Sequence, residues 1–133
     1  MSKQNPIVMV IEDEDLLLKA IEKKLGISGI RPESCKSGAK ALERLRNMTD
    51  AHTLPDAIWL DYHLEDMDGL DFMNALKNDE KLSHIPVFVV SNSASAEIVN
   101  AMLSLGAKKY MLKADHSLES IVSQLKSYIS AVK

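Results

Sequence analysis

A single cysteine, Cys35, rules out an internal disulfide. No uninterrupted aliphatic run is longer than Ile7 to Ile11, far short of the roughly twenty residues that cross a bilayer, and Met1 to Pro6 lacks the pattern of a signal peptide. A cytoplasmic protein is expected. Lys and Arg form no basic cluster and the formal net charge is -3, which excludes the electrostatic footprint of a nucleic-acid or anionic-membrane binder. Glycine is equally sparse, at five residues. The first apolar run opens into "EDED" rather than a glycine-rich loop, so it repels the phosphates of a flavin or dinucleotide. The four histidines, His52, His63, His84 and His116, include no pair at metal-ligand spacing.

What is present is enough apolar material for one core: 46% hydrophobic residues in 133, read as one domain spanning 1–133. Five short runs recur: "PIVMVIE" (6–12), "IRPESC" (30–35), "DAIWLD" (56–61), "PVFVVS" (86–91) and "KKYMLK" (108–113). All but the second are near-continuous hydrophobics, as strands covered on both faces are. The second alternates and contains Pro32, which places it at an edge.

Segments of helical period separate the runs. The first carries Leu17, Ile21 and Leu25 and is expected to stop at Gly26; the second carries Ala41, Leu42, Leu45 and Met48 behind Ser37 and Gly38. Leu70, Met73 and Leu76 mark a third. Ile98, Val99, Met102 and Leu105 before Gly106 mark a fourth, and Leu118, Ile121, Val122, Leu125 and Ile129 a fifth. Strict (βα)5 alternation calls for an α/β fold, a parallel sheet with right-handed crossovers and helices on both faces. Five such units consume the 133 residues, so no effector domain is expected within them. Residues 49–55 read as a polar loop.

In such sheets the chemistry lies beyond the carboxyl ends of the strands. Strand one exits into Glu12, Asp13, Glu14 and Asp15, strand three into Asp61, strand four into Ser91, Asn92 and Ser93, and strand five into Lys113. The acids after strand one could simply cap a helix, and Asp13 could do so while serving another role. If strands one and three are neighbours, however, Glu12, Asp13 and Asp61 converge, and like charges so close need a cation. All-oxygen ligands with room for water suit Mg²⁺ better than Ca²⁺. A metal, an ammonium (Lys113), a hydroxyl (Ser91) and a free carboxylate oxygen (Asp61) together form a phosphoryl acceptor. Trp59, two residues before Asp61 on the same strand face, is core.

In these residues the chain resembles the receiver domains of two-component response regulators, in particular single-domain, chemotaxis-regulator-like ones. "VIED", "WLD" then "MDG", "VVS" and "YMLK" stand in the family's order and approximate spacing, and "SGAKALERL" resembles its second helix. The resemblance implies a five-stranded sheet of order 2-1-3-4-5. It implies Asp61 as phosphoacceptor, Glu12 and Asp13 as the acidic pair holding Mg²⁺, and the backbone carbonyl of His63 as a further metal ligand. Ser91 matches the switch hydroxyl, Lys113 the lysine of the pattern and Tyr110 the switch aromatic. The implied partners are a sensor histidine kinase or histidine phosphotransfer protein and a downstream protein target. The target would bind the face of the fourth helix, fifth strand and fifth helix. Such a protein is a signalling phosphoacceptor that catalyses only its own phosphorylation and dephosphorylation.

Three positions depart from the pattern. Glu65 replaces a proline, so that loop is expected to be more mobile or differently shaped. Ala114 replaces the proline after Lys113, where a trans peptide and an altered loop are expected. Asn92 follows Ser91 in place of a smaller residue and is expected to crowd the phosphoryl entrance. Two other functions are weighed on the residues. A haloacid-dehalogenase-like hydrolase would need an aspartate two residues after Asp61, where His63 stands. A receiver-like module that binds partners without relying on phosphorylation is the alternative that stays open.

Overall fold

Side chains at the carboxyl end of a parallel sheet meet only if the strands stop level with one another, and here the register brings that about. In the computed structural model, which describes residues 5–48 and 53–132, five parallel strands lie in the order β2-β1-β3-β4-β5. They are β1 (Ile7–Ile11), β2 (Arg31–Cys35), β3 (Ala57–Asp61), β4 (Val87–Ser91) and β5 (Lys109–Leu112). The helices are α1 (Asp15–Ile27), α2 (Gly38–Asn47), α3 (Gly69–Lys77), α4 (Ala96–Ser104) and α5 (Leu118–Val132). This is the expected (βα)5 order, with the Pro32 strand at the edge. His52 and most of the loop at 49–55 lie outside the described residues.

Every residue of β1, β3 and β4 is buried, as their unbroken apolar runs require. Alternation along these strands splits the core in two. Met9, Ile11, Ile58, Leu60, Val87 and Val89 pack against α2, α3 and α4 on one face. Val8, Val10, Trp59, Phe88, Val90 and Met111 pack against α1 and α5 on the other.

Several helix details differ from the sequence-based expectation. In α1, Leu18 is fully in the core with Ile21 and Leu25, while Leu17 is only half-buried. The helix runs through Gly26 to Ile27 and ends at Gly29, whose φ of 80° only glycine adopts readily. There the Gly29 N–H donates to Gly26 O and the Ile30 N–H to Leu25 O, a Schellman closure. At α4 the same closure forms around Gly106 (φ 106°), where the sequence placed it. Ser37 caps α2 as expected, its Oγ accepting from the Lys40 N–H. Phe72 joins Met73 and Leu76 in the core of α3.

Candidate functional site

Register positions the acids. Ile11 pairs with Leu60, so Glu12, one residue beyond β1, stands level with Asp61 at the end of β3. Asp61 pairs with Val90 and Ser91 with Leu112, which puts Lys113 just past the neighbouring strand end. Glu12, Asp61 and Lys113 continue the face of Val10, Trp59 and Met111.

Glu12, Asp13 and Asp61 each place one carboxylate oxygen within 4.8 Å of the others. Glu12 is 1% and Asp61 6% exposed. Glu12 Oε2 accepts from the Glu14 N–H at 3.1 Å; its buried Oε1 makes no hydrogen bond but lies 3.5 Å from Lys113 Nζ. The same ammonium is 3.8 Å from Asp61 Oδ1. One ammonium thus faces a group of three carboxylates.

The electrostatics express that excess. Burial, then the charge of Glu12, pushes the Asp61 carboxyl up to about 7, against the opposing pull of Lys113 and a hydrogen bond from the His63 backbone N–H. Burial also raises Glu12, opposed by the Glu14 amide and Lys113. An all-oxygen donor set with a buried oxygen lacking a hydrogen bond fits a hard divalent cation.

Of the acids after strand one, Glu14 and Asp15 take the helix-start positions considered for them, though without a side-chain cap. The N-cap of α1 is Glu14, which makes no side-chain capping bond, and Asp15 pairs with Lys36. Asp13 therefore turns to the acidic group and not to the helix.

The remaining predicted residues gather around the next loop. Ser91 is fully buried but lies one residue past the Val90 level, so it faces the opposite side of the sheet from Asp61, and its Oγ accepts from the Ser93 N–H at 3.3 Å. The half-buried Tyr110 donates its hydroxyl to Ser93 O at 2.9 Å, with its ring 6.3 Å from that of Tyr62. The exposed His63 side chain packs edge-on against Tyr62 and brings Nε2 within 3.5 Å of Ser93 Oγ. Ser93 is thus held from three sides. Sequence reasoning gave it no role, since nothing in its neighbours marks a residue engaged by position 63 after β3 and by position 110 within β5.

Though Glu65 stands in place of proline, the loop after Asp61 is tied down: the Leu64 N–H donates to Met67 O at 3.2 Å, and the Asp66 carboxylate accepts from the Gly38 and Ala39 N–H groups at the start of α2. The described residues contain no cis peptide bond, as expected at Lys113–Ala114, and Asn92 is exposed.

The response regulator receiver domain model matches residues 8–126. The polar-differentiation response regulator DivK of Brucella ovis is 32% identical over 122 residues, covering 92% of this chain and 94% of DivK. The transcriptional regulatory protein PrrA of Mycobacterium leprae is 33% identical over 125 residues; these are 94% of this chain but 50% of PrrA, so the chain spans half that relative's length. The phosphorylated cyanobacterial phytochrome response regulator RcpA shares the fold, with a TM-score of 0.83 at 23% identity over 97% of this chain and 96% of RcpA. The chain belongs to the response regulator receiver domains of two-component systems. Domains of this class interact with kinases and downstream targets. Among the described residues no helix is long and apolar enough to cross a membrane.

Proposed function

We propose that Asp61 accepts a phosphoryl group from a phosphohistidine of a sensor histidine kinase or histidine phosphotransfer protein. The observation that carries this reading is the meeting of three carboxylates within 4.8 Å beside one lysine ammonium. A carboxylate oxygen of Asp61 attacks phosphorus, the P–N bond to the donor imidazole breaks, and the imidazole leaves with the bond's electron pair, giving an acyl phosphate. Glu12, Asp13, Asp61 and the His63 backbone carbonyl would hold Mg²⁺, which supplies charge neutralisation to the transferring phosphoryl oxygens.

Lys113 contributes a second positive charge, already directed at Asp61. After transfer, Ser91 turns its hydroxyl toward the phosphoryl group and Tyr110 exchanges its bond to Ser93 O for an inward position. The two arrangements pre-exist, and the modification shifts their populations. Output then runs through the face built by α4, β5 and α5 to a protein target, from one receiver domain spanning 1–133 that acts in the cytoplasm and catalyses no reaction but its own phosphorylation and dephosphorylation.

Acetyl phosphate with Mg²⁺ should add about 80 Da at Asp61, and Asp61→Asn should abolish the adduct. Mg²⁺ binding without any adduct would instead favour a module that recognises partners through its fold alone.

A further inference from the structure

At the β2 edge of the sheet every backbone group can be accounted for. The Arg31 N–H donates to Pro6 O and Cys35 O accepts from the Glu12 N–H, so residues 31, 33 and 35 direct their backbone groups at β1. Pro32 and Ser34 therefore turn theirs outward, away from the sheet. Pro32 has no N–H to offer and presents only its carbonyl, as suits an edge strand. Ser34 presents both an outward donor and an outward acceptor, and it is half-buried rather than sealed in the core.

Those two groups are not treated alike. Ser34 O accepts from the Arg44 guanidinium at 3.2 Å, and the same NH1 lies 3.3 Å from Glu33 Oε1. The Ser34 N–H has no hydrogen-bond partner among the described residues. Its hydroxyl is engaged separately, donating to Glu22 of α1. A half-exposed arginine of α2 thus lies across the acceptor with which another strand would pair. Open strand edges recruit further strands, and proline and charged side chains are the usual guards.

The partner that fits is set by the pairing itself. A donor and an acceptor on one residue are self-complementary: a two-fold axis beside Ser34 brings the N–H of each copy to the C=O of the other, as in a hydrogen-bonded antiparallel pair. We propose that the outer edge of β2 is a self-association surface for a second copy of this chain, held closed by Arg44. With the guanidinium in place the acceptor is taken and a charge stands where the second strand would lie, so the chain is monomeric. With it withdrawn, two β2 strands join about Ser34 and one sheet runs through both copies. Nothing in this depends on Asp61 being a phosphoacceptor.

Sedimentation of the full chain across a concentration series tests the surface. Arg44→Ala frees one acceptor on each copy, and should self-associate roughly ten- to hundredfold more tightly than the parent. Hydrogen exchange at the Ser34 amide should slow as the concentration of this variant rises, while the amides of Glu33 and Cys35, which face β1, should not change. Adding Ser34→Pro removes the outward N–H without touching the β1 ladder, and should return Arg44→Ala to a monomer. Where the double variant does not fold, the Ser34 exchange decides alone. The proposal is overturned if Arg44→Ala sediments as the parent does at every concentration, if it associates without protecting the Ser34 amide, or if a folded double variant associates as tightly as Arg44→Ala.

Discussion

The Asp66 carboxylate accepts from the Ala39 backbone N–H at 2.9 Å, joining two residues 27 positions apart. Its other oxygen takes the Gly38 N–H at 3.1 Å, so a residue of the loop after β3 satisfies two of the free donors at the start of α2. Contact there is close: a Cβ at Gly38 would run into the Met67 side chain. Burial works against the charged carboxylate, but the Ala39 and Gly38 amides outweigh it and hold Asp66 below the usual range. Asp66→Ala should cost about 1 kcal/mol, the typical loss for a capping acceptor, and Asp66→Asn less. Urea unfolding of the three proteins measures this. The same bonds do for the loop what a proline at Glu65 would do, so Asp66→Ala should also slow phosphorylation by acetyl phosphate.

The raised Asp61 carboxyl makes stability depend on pH in a defined sense. Its folded value is about 7 and its unfolded value about 3.9, so between them the folded protein holds the extra proton. In the presence of a chelator, stability should fall as pH rises through that window. Asp61→Asn removes the penalty, so the variant should be more stable than the parent above pH 7, by up to about 4 kcal/mol, and the advantage should vanish below about pH 4. Adding Mg²⁺ should shrink it. Thermal unfolding across pH, with and without the metal, provides the measurement.

Mg²⁺ should change the fluorescence of Trp59 saturably, since Asp61 lies two residues along the same strand face. Glu12→Gln and Asp13→Asn should each weaken that response on the order of tenfold or more. An unchanged titration in both variants would show that the cation binds elsewhere.

Tyr110→Phe deletes the bond to Ser93 O and should cost about 1 kcal/mol or less. The larger effect should be local: amide hydrogen exchange at residues 92–95 should accelerate while the strands keep their protection.

Two glycines at the end of α1, one inside the helix and one just past it, should respond in opposite directions. Gly26 lies inside the helix and a Cβ there would meet nothing within 4 Å, so Gly26→Ala should stabilise by about 0.5–1 kcal/mol. Gly29 has equal room but a φ of 80°, so Gly29→Ala should destabilise by about 1 kcal/mol. Denaturant midpoints of the pair decide the sign.

Those glycines also show what was legible in the sequence. Periodicity located α1, but Gly26 and Gly29 are indistinguishable by type, and only the backbone turn selects one. Strand number and the acids at the exits of β1 and β3 could be read because apolar runs and their last residues are local signals, whereas the strand order came from the resemblance to receiver domains. Asp66 and Ser93 could not, because their roles come from partners 17 to 30 residues away that no spacing rule connects. Asp13 was legible as an acid near a helix start, while its turn toward Asp61 depends on where β3 lies.

Glu12, Asp61 and Lys113 belong to the layer under α1 and α5, whereas Ser91 and Tyr110 look into the layer under α2, α3 and α4. The sheet is therefore a partition, with the acids in one compartment and Ser91 and Tyr110 in the other. On the proposed mechanism, a new charge at Asp61 would be felt around the rim of the strands, along the 91–93 backbone, and not through either apolar filling. Each compartment can then be remodelled for a different correspondent while the message at the rim stays the same.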